Sequence, residues 1–404
     1  MVTPVHELDL PMLDTRAMER AEELATIAEV RQAHWLARTP LGFSITGYKD
    51  GVAILRDRRF HSALSLLPQM AGLEPGYLED RRRSILSMEG EEHARLRRLV
   101  APAFTPSAID RLRPFIREVI GSLVDSLSPQ GTFDAVTDLC EPYPIPIICE
   151  LLGAPKDDWK LFSDWATDIF RLFNQDLVKD LPAIERASDE LDAYVRQMVE
   201  HRRRQPADDL LSALIAIEES GDRLSADEMV MLAEAILMAG TDTTRNQLAC
   251  CLALFAGRPD QWELLARRPE LVPGAVEESM RYLGAVRGTA RFASEEIEFR
   301  GVLFPRGTLV AVSLAGANRD PDVWESPDDF DISQSRATQQ MTFGSGIHHC
   351  MGAALARAEL QEALVVLACR MPGLTVVGPI EWKPATFGIW GPAQLPVRMA
   401  GTTA

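Results

Sequence analysis

Apolar residues recur at helical spacing over most of this chain. The stretches 14–38, 90–127, 157–171, 182–204, 208–219, 226–256, 259–266, 273–283 and 351–371 all carry the i, i+3, i+4 rhythm of a helix with one buried face. Alternation of the strand kind is confined to two places. Residues 43–55 read as two short strands around Gly47 to Gly51. Residues 295–312 put Ile297 and Phe299 on one face, with turns at Arg300-Gly301 and Arg306-Gly307. The pattern predicts a mainly α protein with a minor β region. A length of 404 residues alone would suit two or three domains. No repeat, low-complexity tract or Gly/Ser linker divides the chain, so a single domain over 1–404 is expected.

The segment after Leu224 is the most informative helix. Ser225-Ala-Asp-Glu228 spells a capping box, and the pattern then runs to about Phe255 before Gly257. Some thirty residues at ~1.5 Å each give ~45 Å, enough to cross a whole domain. Met229, Leu232, Ile236, Gly240 and Thr243 fall on one stripe. Its middle, Gly240-Thr241-Asp242-Thr243-Thr244, joins a glycine to four residues of weak helix propensity. Two readings fit: a tolerated kink packed against a neighbour, or a helix locally opened where a small molecule sits against its backbone. In the second, hydroxyl and carboxyl groups serve proton movement.

Composition narrows the function classes. There are 42 basic and 59 acidic side chains, a net charge of −17, with 46% apolar and 25% charged residues. The acidic excess argues against nucleic acid and against an anionic membrane surface, both of which need a basic face. No 18-residue apolar run and no secretory apolar segment occur, so a cytoplasmic protein without membrane contact is expected. The six cysteines include no C-x-x-C pair, which leaves neither a disulfide scaffold nor a zinc ribbon.

One of them, Cys350, is set differently. Phe343-Gly-Ser-Gly346-Ile-His348-His349-Cys350-Met-Gly352 precedes the helical run AALARAELQEALVVLACRM. A glycine-relaxed loop thus delivers a thiol to a helix N-terminus, where unpaired N–H groups and the helix dipole favour the thiolate. Gly346 and Gly352 would let the backbone approach something flat and bulky, and Phe343 would shield the sulfur. A buried structural cysteine does not explain the glycines. Zinc is disfavoured because adjacent residues seldom converge on one ion. A catalytic thiol with a histidine base stays open.

Read as Phe-x-x-Gly-x-His-x-Cys-x-Gly, residues 343–352 resemble the haem-binding signature of the cytochrome P450 monooxygenases. Ala239-Gly240-x-Asp242-Thr243-Thr244 is similar to that family's oxygen-activation motif, Glu278-x-x-Arg281 to its ion-pair motif, and Ala317-Asn-Arg-Asp-Pro321 to its later meander. With His93-x-x-x-Arg97, the resemblance spans roughly residues 40 to 396, in the style of the soluble bacterial members. It implies the family's triangular helical prism around a buried haem b. It further implies Cys350 as the axial thiolate on the iron, a ligand that favours O–O cleavage. His93, Arg97, Arg291 and His348 become partners of the haem propionates. Thr243 and Asp242 become the alcohol–acid pair that feeds protons to bound dioxygen. Glu278 and Arg281 become a buried pair completed by a second arginine, either Arg319 or Arg336, since the usual Phe-Asp-x-x-Arg spacing fails after Phe330.

By the same resemblance the substrate pocket is lined by Leu66, Leu67, Met70, Phe170, Phe173, Ile236, Ala239, Gly240, Val286, Thr289, Ile389 and Trp390. Most are apolar, so a small to medium apolar substrate is expected. Arg287 would either hold a substrate carboxylate or face solvent. The 404 residues contain no flavin or iron–sulfur segment. Electrons from NAD(P)H are therefore expected through a separate ferredoxin reductase and ferredoxin, docked on a basic patch of Arg95, Arg98 and Arg357. A monomer is expected. The competing functions are an isomerase or dehydratase on the same fold, and a haem-binding sensor without turnover, which would not need the Asp242–Thr243 pair.

Overall fold

The structure is a computed structural model and describes residues 2–15, 18–66, 72, 84–173, 177–220, 224–384 and 389–399. Its axis is the helix Ala226–Ala256. The capping box forms: Glu228 N–H donates to Ser225 Oγ (3.2 Å), and Ser225 N–H donates to Glu228 Oε2 (2.9 Å). From Asn246 to Phe255 every residue is buried, so this half is surrounded by other elements rather than lying on a surface. The helices Pro144–Leu152, Trp159–Ile169, Leu177–Arg204 and Ala353–Arg370 pack about it, and one continuous apolar core runs between them.

The β region builds a second core beside the helical one. Five strands lie in the order Leu36–Thr39, Gly42–Ile45, Leu309–Ser313, Gly288–Ala293 and Phe60–Ser62. Gly42–Ile45 runs parallel to Leu309–Ser313, with Phe43 opposite Val310 and Ile45 opposite Val312; the other pairings are antiparallel. Residues 295–312 form the expected strands, Ile297–Phe299, Val302–Phe304 and Leu309–Ser313. Arg300, Gly301 and Gly307 adopt the positive φ of their turns. No helix among the described residues is long and apolar enough to cross a membrane.

Several boundaries differ from the periodicity. The predicted helix 14–38 contracts to Arg20–Ala33, because Leu36 and Ala37 are drawn into the sheet opposite Ile45 and Ser44. The predicted second strand of 43–55 is instead the helix Tyr48–Arg56, whose Gly51 is helical and packs where a Cβ would meet Val312 Cγ1 at 2.9 Å. The stretch 90–127 breaks into Gly90–Val100, Pro106–Asp110 and Arg113–Leu127, since Pro102, Pro106 and Pro114 each sit in a first turn. The 182–204 helix starts earlier, at Leu177. The central helix does not open at Gly240–Thr244. It stays helical throughout, with Thr241 Oγ1 donating to Leu237 O (2.7 Å) and Thr243 Oγ1 to Ala239 O (2.9 Å).

Candidate active site

The cysteine loop is held from both ends. Cys350 N–H donates to Phe343 O (3.0 Å), Gly344 N–H to Met341 O (2.7 Å) and His349 N–H to Gly346 O (3.1 Å). The helix Ala353–Arg370 begins directly after it. Gly346 has φ +74°, and a Cβ there would lie 2.0 Å from Leu55 O. The close approach that demands this glycine is thus to the end of the helix Tyr48–Arg56, not to a flat ligand. At Gly352 the one protein atom near an added Cβ is Cys350 Sγ, at 3.9 Å.

Cys350 keeps an exposed surface, yet its sulfur is packed round closely enough that burial raises the thiol pKa. The Gly352 N–H and the charges of Arg97 and Arg357 pull the other way and lose. The helix terminus thus acts in the expected direction but burial outweighs it in the protein alone; a positive ion at the sulfur is what would complete the thiolate. Phe343 is buried beside this loop, with Arg357 Cζ 4.5 Å above its ring.

Around this loop lie the four expected cofactor partners. His93 and His348 lie 4.6 Å apart between ring centroids, tilted at 42°. His348 Nε2 contacts Glu89 Oε1 at 2.9 Å, and the same oxygen accepts from Ser62 N–H (2.6 Å). Burial lowers the pKa of His93, helped by His348 and Arg97 and opposed by Glu89. Arg97 donates to His349 O. Arg291 is buried, and among the described residues its guanidinium donates to Thr289 Oγ1 and Ala290 O, both at 3.0 Å. Neither arginine has a carboxylate partner among the described residues. A buried and a half-buried guanidinium without carboxylate partners among the described residues, beside a thiol loop, fit a cofactor that brings an iron and two carboxylates.

On the other side of the site, Ala239 is exposed and Thr243 half-buried within an otherwise buried helix. Asp242 is buried and engaged: Arg245 pairs with it, and Asn246 Nδ2 donates to its Oδ1 (3.2 Å) and its backbone O (2.7 Å). Lys383 reaches the same cluster through Asn246 Oδ1 at 2.8 Å. One residue escaped the sequence reading. Glu359 is fully buried, accepts from Thr244 Oγ1 at 3.0 Å, and leaves Oε1 without a partner. Burial pushes its carboxyl up to about 8, so it carries a proton at neutral pH. The signal was present: Glu359 stands on the stripe of Leu355, Ala363 and Leu367, where only apolar residues belong.

The ion-pair motif forms, and its third member is Arg336. Arg281 Nε and Nη2 donate to Glu278 at 2.8 Å each, and Arg336 adds bonds of 2.8 and 3.1 Å to the same carboxylate. Arg319 turns away to Asp328 and Tyr282 O.

The pocket expectations divide. Ala239 faces the open side of the central helix. Ile236 is buried in the helical core, and Gly240 lies against Ile148, whose Cγ1 a Cβ would meet at 2.9 Å. Val286 and Ile389 face one another in a β-bridge. Thr289 serves Arg291. Trp390 packs with Cys250, Leu254 and Leu283 and stacks on Trp382 at 4.6 Å. Arg287 neither faces solvent nor waits for a substrate: it pairs with Glu23 of the helix Arg20–Ala33. Leu66 ends a short helical turn, and Phe170 packs against the helical core. Leu67, Met70 and the side chain of Phe173 lie outside the described residues. The basic patch is reduced as well, because Arg95 is paired with Glu228 and Arg357 with Glu277 (2.6 Å), leaving Arg98 exposed.

Comparison with known proteins agrees with this geometry. A sequence model of the cytochrome P450 family matches residues 67–267 and 257–367. The chain is 36% identical over 396 residues to luteothin monooxygenase of Streptomyces thioluteus, covering 96% of each. It is 37% identical to the mycinamicin IV hydroxylase/epoxidase of Micromonospora griseorubida, over 89% of this chain and 91% of that one. The crystal structure of CalO2 superposes with a TM-score of 0.90 at 30% identity, covering 97% of this chain and 99% of that one. A chain so matched in sequence, fold and cysteine loop belongs to the cytochrome P450 family, and it is a monooxygenase of that family.

Proposed function

We propose that this enzyme inserts one oxygen atom of O2 into an unactivated C–H or C=C bond of a small to medium apolar substrate. The observation that carries this reading is the arrangement at Ala239–Thr244. An exposed alanine, a half-buried threonine and a buried, ion-paired aspartate follow one another on the same helix, beside a protonated glutamate. An isomerase or a sensor has no use for so much proton-handling chemistry at an otherwise apolar wall.

Haem bound at Cys350 would supply the oxygen-activating iron, and Arg97, Arg291, His93 and His348 would hold its propionates. The chain's own work is to position and to move protons. Ala239 leaves room for a substrate against the helix. Thr243 Oγ1, held by Ala239 O, is the hydroxyl beside that open position. Asp242 relays protons inward once its contact with Arg245 loosens, and Glu359 holds a proton in reserve behind Thr244. Electrons come from NAD(P)H through a ferredoxin reductase and a ferredoxin; the exposed Arg98 gives an acidic partner a point of attachment. The parallel pairing of 43–45 with 310–312 supports reading the 404 residues as one catalytic unit.

The test is spectroscopic first. The reduced carbon monoxide complex shows the strongly red-shifted thiolate band, and Cys350→Ala loses it. Oxygen and NAD(P)H are then consumed in step with product when an apolar ligand that shifts the spin state is added. A Cys350→Ala protein that keeps the band, or product formed without oxygen uptake, overturns the reading.

A further inference from the structure

A second polar cleft lies away from Cys350, at the C-terminal end of the helix Val272–Tyr282. Its enclosed volume is about 20 Å³, room for one small ion, and four of its walls are arginines: Arg20, Arg281, Arg287 and Arg319. Arg20 Nη2 and Arg319 Nη2 both donate to the single carbonyl oxygen of Tyr282, each at 3.0 Å, so two guanidinium groups stand side by side. Arg319 Cζ also lies 4.0 Å from the Tyr282 ring centroid.

The carboxylates around the cleft do not balance these cations. Glu278 is shared between Arg281 and Arg336, Glu23 is taken by Arg287, and Asp328, the partner of Arg319, is 80% exposed. Arg20 has no carboxylate partner among the described residues. Adjacent like charges in a half-buried site repel, and burial together with Arg319 pulls the Arg20 pKa down to about 10. In a chain of net charge −17, a local surplus of guanidinium groups is a specific feature, not a reflection of composition.

We infer that this cleft binds a small monovalent anion of chloride or nitrate size, held by Arg20 and Arg319 at the end of the Val272–Tyr282 helix. One negative charge neutralises the one guanidinium that lacks a partner. The anion would also tie the helix Arg20–Ala33 to Gly284–Arg287, the segment leading into the strand Gly288–Ala293.

The test uses the haem-loaded enzyme. Melting temperature is followed as chloride replaces methanesulfonate at constant ionic strength. A saturable rise of roughly 2 °C is expected, because a ligand bound only by the native state stabilises it by mass action. Arg20→Met abolishes the saturable part. Leu24→Glu, one helical turn from Arg20 and lining the same cleft, supplies a carboxylate internally. It raises the melting temperature in chloride-free buffer and removes the chloride response. Crystals grown with bromide show an anomalous peak between Arg20 and Arg319. No bromide peak, or a chloride response that persists in either variant, overturns the proposal.

Discussion

Thr244 donates its hydroxyl to Glu359 at 3.0 Å, joining the central helix to the helix that follows Cys350. Among the described residues this bond is the one hydrogen bond of the buried Glu359 carboxyl. The folded-state pKa of about 8 stands above the ordinary 4.5. Since the shift is upward, the carboxyl does not penalise the folded state below pH ~4.5. Stability falls as pH rises toward 8, while only the unfolded chain ionises. Glu359→Gln removes that slope. Urea unfolding of both proteins between pH 5 and 9 should show the variant gaining on the wild type, by about 3–5 kcal/mol at the upper end. Parallel curves would mean that Glu359 titrates normally.

Removing the Thr243 hydroxyl should separate oxygen use from product. With Thr243→Val the side-chain shape is kept and the hydroxyl is lost. Product formed per NAD(P)H consumed is expected to fall ~10²-fold, the scale of one positioned proton donor, with substrate affinity little changed. Thr243→Ser restores most of it. Equal coupling in the Val variant would place proton delivery elsewhere.

The carboxylate of Glu278 serves two guanidinium groups, and Arg281 and Arg336 are not equivalent on it. Arg281 also bonds the carbonyls of Asn318, Pro327 and Asp329, whereas Arg336 adds only Glu325 O. Glu278→Gln leaves buried cations without an anion and should lower unfolding free energy by about 3–5 kcal/mol. Arg336→Leu should cost less than Arg281→Leu, because Glu278 keeps its bidentate partner. Denaturant midpoints rank the three.

The two glycines of the cysteine loop should respond oppositely to an added methyl. Gly346→Ala drives a Cβ into Leu55 O at a positive φ and should cost more than about 2 kcal/mol, with poor haem incorporation. Gly352→Ala should stay within ~1 kcal/mol. Haem-to-protein absorbance ratios of the purified variants decide it.

The legible parts were those where local chemistry suffices. The helix 226–256 matches its expected span because a capping box and Gly257 mark both ends. The cysteine loop was legible because its chemistry is compressed into ten consecutive residues. What failed depends on distant partners. Tyr48–Arg56 alternates like a strand until the sheet behind it shows why Gly51, Ile54 and Leu55 are buried together. The fate of Arg287 was decided by Glu23, 264 residues earlier in the chain. Arg336 could not be chosen over Arg319 until the meander was placed around Glu278. Glu359 was visible as a charge on an apolar stripe, but its proton follows only from the absence of water around it.

The parallel pairing of Ile45 with Val312 has a consequence for how the chain is made. The Gly42–Ile45 strand leaves the ribosome long before its partner exists. At ~5–20 residues per second, the intervening stretch takes roughly 13–50 s to synthesise. Through that interval an edge of hydrogen-bonding groups and the apolar faces of Phe43 and Ile45 have no native cover on one side. The helical core waits as well, because Ala353–Arg370 packs against Arg113–Leu127, and the cysteine loop is made only after the last strand of that sheet. Loading of the cofactor is thereby a late event in the life of each molecule.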